Sequence, residues 1–200
     1  MIEIIEDVSP YFLRLNHSGL DNVIDKCLLY IKGLTFDSTG FTHYKFSTDQ
    51  AKDILDSVPF SSLFNFNLER VSLFVTAPGY YYRAHKDGLD HRFSINYTVK
   101  ILDDKCVTSW YSDSDLDVYG IDNLKQKISR ECEGFNKNKH QPLKSMTAKA
   151  KECILFNTDI FHDFDNSKSL NERIVLTLRD VNPGQIYFEE AKNRILSISN

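Results

Sequence analysis

The stretch "YYYRAHKDGLDHRFSINYTV", residues 80–99, indicates the fold because its second half alternates strictly between apolar and polar side chains. One face of the predicted strand carries Phe93, Ile95, Tyr97 and Val99, and the other carries Arg92, Ser94, Asn96 and Thr98. A period of two predicts a β-strand with one buried apolar face. The polar face fits two arrangements: a solvent-facing surface, or the inside of a barrel that holds a polar ligand.

The composition is that of a globular protein large enough for one domain, with 200 residues of which 42% are hydrophobic and 26% are charged. The formal net charge of −4 gives no overall attraction to nucleic acid or to an acidic membrane surface. We find no signal peptide and no apolar run of membrane-spanning length, and the four cysteines are scattered. These features predict a cytoplasmic protein with reduced thiols, and they make nucleic acid and membrane partners unexpected.

Two helices are predicted in the first third of the chain. The first spans residues 18–33, with Ser18 as its N-cap and Gly33 as its stop. Its predicted core face consists of Leu20, Val23, Ile24, Cys27, Leu28 and Ile31. Ser47 and Gln50 have the spacing of a capping box, which predicts the start of the second helix.

From residue 68 the hydrophobic period becomes strand-like, and about seven strand segments follow one another without regular helical crossovers. Such a succession favours antiparallel sheets packed as a sandwich or barrel. We therefore predict a single, mainly β domain with flanking α-helices. Residues 1–67 would form a helical N-terminal brace with one short strand, residues 68–181 the β core, and residues 185–200 a C-terminal helix.

His85 and Asp87 form a His-x-Asp pair that is close to chance expectation when taken alone. On a strand, however, residues i and i+2 share a face, so both side chains could bind one metal ion. A third ligand would have to come from elsewhere in the chain. The other histidines are His17, His43, His91, His140 and His162.

His162 differs from the other histidines because it lies between two apolar strand segments, "ECILFNT" and "RIVLTLR". Two buried strands can hold such a residue at the mouth of a barrel, although it also fits an ordinary loop. Arg173 begins the second of these segments and shares a face with Val175, Thr177 and Arg179. It fits either an edge position or a bidentate clamp for a carboxylate.

Taken together, "AHKDG", "FNTDIFHDF" and "NERIVLTLR" resemble the motifs of the 2-oxoglutarate/Fe(II)-dependent dioxygenase superfamily. That family has the pattern His-x-Asp, a long gap, His, and then Arg about ten residues on. Two histidines and one carboxylate form the facial triad of non-haem Fe(II) oxygenases. The resemblance covers residues 69–180 and implies a double-stranded β-helix, the jelly-roll or cupin-like fold. The long gap before His162 suggests an insertion within residues 113–141.

The resemblance implies that His85, Asp87 and His162 bind Fe(II) and that Arg173 binds the distal carboxylate of 2-oxoglutarate. Asn96 and Thr177 are the polar residues that we expect to help hold this co-substrate. Tyr82 is a further candidate, although strict alternation would place Tyr81 on the His85 face instead. The implied reaction uses O2 to hydroxylate an unactivated C–H bond while 2-oxoglutarate is decarboxylated to succinate.

Several substrate classes remain open at this stage. The implied substrate is an amino-acid or peptidyl side chain, or a small metabolite. The spacing of Arg173 and Arg179 also resembles the Arg-x₅-Arg ending of the alkylation-repair dioxygenases, which oxidise nucleobases. A non-catalytic cupin-like binding module is a third interpretation, and an unrelated β-sandwich with an accidental His-x-Asp is a fourth. The oligomeric state is not predicted.

Overall fold

Antiparallel strands dominate the computed structural model, and they form two sheets that face each other. The structure describes residues 1–87, 92–112, 130–131, 135, 137, 139–180 and 186–199. His91 and most of the suggested insertion within residues 113–141 lie outside these residues.

Within the part of the chain that the structure describes, the larger sheet has seven strands, of which β1 and β3 are the edges. In spatial order they are β1 (Ile2–Val8), β2 (Phe12–His17), β10 (Cys153–Asn157), β6 (Phe93–Lys100), β12 (Arg173–Leu178), β4 (Ser72–Thr76) and β3 (Phe41–Lys45). Each neighbouring pair in this sheet is antiparallel.

The smaller sheet has five strands among the described residues, and its neighbouring pairs are also antiparallel. In spatial order they are β8 (Arg130–Glu131), β5 (Tyr81–Lys86), β11 (His162–Asp165), β7 (Val107–Trp110) and β9 (Lys144–Thr147). The predicted mainly β architecture with two packed antiparallel sheets is therefore confirmed.

The described residues include three α-helices beside the sheets: α1 (Leu20–Tyr30), α2 (Thr48–Leu55) and α3 (Phe188–Leu196). Their apolar residues form one continuous core with residues of the larger sheet, such as Ile95 and Tyr97 on β6. The alternate residues Ser94 and Asn96 therefore lie on the opposite face, toward the smaller sheet. All four of these residues are buried, so the polar face of β6 faces the inside of the fold and is not a solvent-facing surface.

The prediction that residues 1–67 form a helical brace with one short strand is wrong in part, because β1 and β2 also lie in this segment and extend the larger sheet. Two details of α1 are also corrected. Its N-cap is Gly19 rather than Ser18, and Leu28 is exposed at 39% instead of facing the core. The capping box at the start of α2 is present as predicted.

Cys27, Cys106 and Cys153 are buried free thiols, and Cys132 lies outside the described residues. Among the described helices, none is long and apolar enough to cross a membrane.

Candidate metal and co-substrate site

His85, Asp87 and His162 come together at the mouth of the space between the two sheets. Each offers one potential metal-ligand atom, and these atoms all lie within 4.8 Å of one another. His85 and His162 are directly opposite in the β5–β11 pair, and their ring centroids are 4.5 Å apart. Asp87 follows β5 by one residue, with its Oδ1 3.8 Å from the Nε2 of His85. The pairing of β5 with β11 thus brings His162 to the His85–Asp87 pair, although His162 lies 75 positions after Asp87 in the sequence.

Both histidines are oriented by backbone carbonyl groups. The Nδ1 atom of His85 lies 3.0 Å from the carbonyl oxygen of Arg83, and the Nδ1 atom of His162 lies 2.8 Å from that of Ile160. A carbonyl oxygen only accepts, so each Nδ1 carries a proton, and in the neutral ring Nε2 is then the atom with a free lone pair. Burial lowers the pKa of His162 to about 3, so its ring is neutral near pH 7. This tautomer and charge state suit metal binding.

The three residues open into a cavity of about 260 Å³ between the sheets. Every residue that the sequence singled out for the site lines this cavity: His85, Asp87, His162, Arg173, Asn96, Thr177 and Tyr82. The metal-ligand candidates lie on or beside the smaller sheet, whereas Arg173, Asn96 and Thr177 project from the larger one. His17 and His140 lie outside the cavity lining, and His43 lines it from the larger sheet.

Arg173 meets the physical requirements of a carboxylate clamp. It is only 4% exposed, its guanidinium lies 5.1 Å from the ring centroid of Phe164, and its Nε has no hydrogen-bond partner among the described residues. The Oδ1 atom of Asn96 is buried and likewise unpaired there. Unpaired buried polar atoms are costly, so a cavity that contains them fits a polar occupant. A small dicarboxylate that also binds a metal has suitable chemistry.

A β-bulge decides which tyrosine enters the cavity. His162 is opposite His85 and Phe164 is opposite Tyr82, so two steps along β11 correspond to three along β5. The extra residue reverses the alternation of β5. Tyr82 therefore shares the cavity with His85, with ring centroids 4.6 Å apart, and the expectation for Tyr81 is wrong.

Tyr81 belongs instead to a buried group behind the metal-ligand candidates. Its hydroxyl donates to Asp163, as do the Tyr111 hydroxyl and the Ser109 amide, at 3.0, 2.7 and 3.0 Å. Burial raises the pKa of Asp163 to about 6, although all three donors oppose that rise. These bonds tie β5, β11 and β7 together directly behind His162.

The larger sheet also carries an aromatic wall that the sequence did not predict. Phe41, His43 and Phe74 line the cavity, and Phe74 stacks on His43 with centroids 4.8 Å apart and on Phe41 at 5.1 Å. In the sequence, the available signal was that Phe41 and His43 alternate along one short segment and Phe74 lies within another. Only the pairing of β3 with β4 shows that they share a face.

The comparisons with known proteins agree with this architecture. No protein-family model and no curated protein matches the sequence. Among solved structures, HygX from Streptomyces hygroscopicus, with nickel and 2-oxoglutarate bound, is 8% identical with a TM-score of 0.52. The match covers 84% of this chain and 81% of HygX.

A prolyl hydroxylase from Trichoplax adhaerens, in complex with a peptide fragment of the hypoxia inducible factor oxygen degradation domain, is 12% identical with a TM-score of 0.51. The match covers 98% of this chain and 86% of the hydroxylase. At such identities the likeness concerns the fold. The chain therefore has the jelly-roll fold of the 2-oxoglutarate-dependent oxygenases.

Proposed function

We propose that the chain is a single-domain Fe(II)- and 2-oxoglutarate-dependent oxygenase that hydroxylates an amino-acid or peptidyl side chain, or a small metabolite. The observation that carries this proposal is one cavity with a His-Asp-His group on one wall and a buried arginine on the other. Either feature alone has ordinary structural explanations. Their convergence on one cavity has the chemistry of a metal-chelating dicarboxylate site.

In this proposal His85, Asp87 and His162 hold Fe(II) and leave positions on the metal for co-substrate and O2. When bound, the iron supplies the oxidising chemistry, in which 2-oxoglutarate and O2 yield succinate, CO2 and a hydroxylated substrate. Arg173 pairs with the distal carboxylate of 2-oxoglutarate, because its planar guanidinium matches a carboxylate and its positive charge is buried in the cavity wall. Asn96, Thr177 and Tyr82 complete the polar lining around it.

The chain also limits the access of water to the reacting groups. Phe156 and Phe164 lie against the ring of His162, with centroid distances of 4.8 and 5.6 Å, and both line the cavity. Apolar walls lower the local dielectric, which strengthens the pairing of Arg173 with a carboxylate.

For the substrate, we favour a side chain or small metabolite over a nucleobase. The net charge of −4 does not favour a polyanion, and Arg179 already pairs with Asp87 rather than pointing to an open surface. The peptide complex of the similar prolyl hydroxylase gives independent support for a peptidyl substrate. Salt-sensitive binding of single-stranded DNA would favour the nucleobase alternative instead.

An anaerobic titration tests the proposal. Fe(II) and then 2-oxoglutarate are added to the protein, and we expect a weak visible charge-transfer absorption band. His162→Ala should lose metal binding, and Arg173→Ala should keep it while 2-oxoglutarate affinity falls by several kcal/mol. His140→Ala is the matched control, because His140 lies outside the cavity lining.

Two results would contradict the proposal. If no band forms and His162→Ala binds metal as tightly as the wild type, the metal assignment is wrong. If the band forms but no candidate substrate promotes succinate formation in air, a cupin-like binding module is the better interpretation.

A further inference from the structure

Arg179 is the second cation in the cavity lining, and its neighbours differ from those of Arg173. It follows the last residue of β12 and lies on the same face as Arg173 and Thr177. Its Nη2 donates to the Oδ2 of Asp87 at 3.3 Å. The other oxygen of that carboxylate, Oδ1, is the one 3.8 Å from the Nε2 of His85. The two carboxylate oxygens thus have separate neighbours.

The guanidinium of Arg179 is also supported on the larger sheet. It lies 5.4 Å from the ring centroid of Phe74, and Phe74 stacks on His43 at an interplanar angle of 11°. Phe74 and His43 are directly opposite in the β3–β4 pair. Burial and then the charge of Arg179 lower the pKa of His43, which favours a neutral ring beside the cation. His43, Phe74 and the Arg179 guanidinium therefore form a continuous stack from the edge strand β3 to the carboxylate of Asp87.

We propose that Arg179 is a positioning residue that holds Oδ2 of Asp87, so that the carboxylate offers a metal only Oδ1. This inference rests on the proposed metal site. A carboxylate can bind a metal through one oxygen or two, and the second mode would occupy a position that the co-substrate needs. Arg179 prevents that mode because it engages Oδ2 with a charge-assisted hydrogen bond. Phe74 and His43 fix the guanidinium in the required place.

Binding of Co(II) tests this inference without any turnover. The visible absorption spectrum of bound Co(II) depends on its coordination number, so it reports how Asp87 binds. We expect Arg179→Met to change the spectrum and to weaken Co(II) binding by about 10- to 100-fold, as is typical when a partner of a metal ligand is removed. Arg179→Lys keeps the charge but loses the planar fork, so its spectrum should also change and its affinity should be intermediate.

The matched control is Arg92→Met, because Arg92 forms an Arg–Asp pair with Asp159 that does not line the cavity. Its Co(II) spectrum should equal that of the wild type. A wild-type spectrum in both Arg179 variants would overturn the proposal, whatever their affinities. If Arg179→Met does not fold, as judged by circular dichroism, the lysine variant alone decides.

His162→Ala separates this inference from the proposed function. If His162→Ala loses Co(II) but the Arg179 variants keep the wild-type spectrum, only the positioning role is wrong. If His162→Ala binds Co(II) like the wild type, the metal site itself is wrong, and the positioning role fails with it.

Discussion

At the scale of single residues, burial of a histidine serves two purposes in this chain. His162 is buried in the cavity wall, whereas His17 is buried at the end of β2 and does not line the cavity. The Gly19 amide donates to the Nδ1 of His17 at 3.1 Å, so Nε2 carries the proton and donates to the Tyr97 hydroxyl at 3.0 Å. His17 therefore satisfies polar groups in the core and is not a candidate ligand.

The first prediction concerns the pH dependence of stability. Burial lowers the pKa of His17 to about 4 from 6.5, so the folded state binds its proton less tightly than the unfolded state does. The stability contribution of neutral His17 is complete above pH 6.5 and is lost as the pH falls toward 4. The loss between pH 7.5 and pH 5 should be about 2 kcal/mol.

Urea unfolding of the wild type and of His17→Gln at both pH values measures this loss. Because His162 titrates in both proteins, the difference between their pH slopes isolates His17. We expect His17→Gln to lose about 2 kcal/mol less than the wild type on acidification. Parallel pH profiles for the two proteins would show that His17 does not titrate as the structure indicates.

The residues of the site differ in how far the sequence could predict them. His85, Asp87, His162 and Arg173 could be proposed because their order and spacing resemble the motifs of the 2-oxoglutarate/Fe(II)-dependent dioxygenase superfamily, and all four line one cavity. The sequence could not predict that Arg179 pairs with Asp87, because this contact joins an end of the larger sheet to an end of the smaller one. Contacts between sheets depend on register and curvature, which no local pattern encodes.

At the scale of elements, the bulge in β5 determines the chemistry of the cavity wall. Strict alternation predicts that Tyr81 accompanies His85, and the extra residue between them puts Tyr82 there instead. A bulge has no reliable local signal, because it arises where a strand must follow the register of its neighbour. The side-chain parity of β5 is therefore a property of the β5–β11 pair and not of the segment alone.

The second prediction separates the two tyrosines. Tyr81→Phe removes one donor from the buried Asp163, so the free energy of unfolding should fall by about 1–2 kcal/mol while 2-oxoglutarate affinity is unchanged. Tyr82→Phe removes a hydroxyl from a residue that lines the cavity, so 2-oxoglutarate affinity should fall by about 3- to 10-fold with little loss of stability. Urea unfolding and a metal-supported 2-oxoglutarate titration measure both effects. If Tyr81→Phe weakened 2-oxoglutarate binding and Tyr82→Phe lowered the free energy of unfolding instead, the placement of the two tyrosines by the bulge would be wrong.

Two strands that the sequence does not predict, β1 and β11, have a related explanation. Ile4 and Ile5 on β1 are 42% and 56% exposed, so this edge strand has no alternating buried face beyond Ile2 and forms by pairing with β2. The strand β11 has the sequence His-Asp-Phe-Asp, which resembles a polar turn. It becomes a strand because β5 and β7 pair with it on both sides and Tyr81 and Tyr111 satisfy Asp163. Strong periodicity identified β6 and β12, whereas tertiary pairing alone identifies these strands.

At the scale of the whole molecule, the site is a junction between the two sheets. The metal-ligand candidates belong to the smaller sheet, and the proposed co-substrate clamp belongs to the larger one. A co-substrate that binds the metal at one end and Arg173 at the other would connect the sheets across the cavity. Binding at this junction requires both sheets in their native arrangement, so the ligands should bind only the folded state.

The last prediction is the thermal stability that follows from this linkage. A ligand that binds only the folded state at 100 times its dissociation constant stabilises that state by about 2.7 kcal/mol. For a chain of this size we expect Mn(II) and 2-oxoglutarate, each at 100 times its dissociation constant, to raise the melting temperature by about 5–10 °C apiece. Because 2-oxoglutarate would contact the metal, its own increment should appear only when Mn(II) is present. His162→Ala should therefore lose both increments, and Arg173→Ala should keep the Mn(II) increment alone. Equal shifts by 2-oxoglutarate with and without Mn(II), measured by differential scanning calorimetry, would mean that it binds away from the junction.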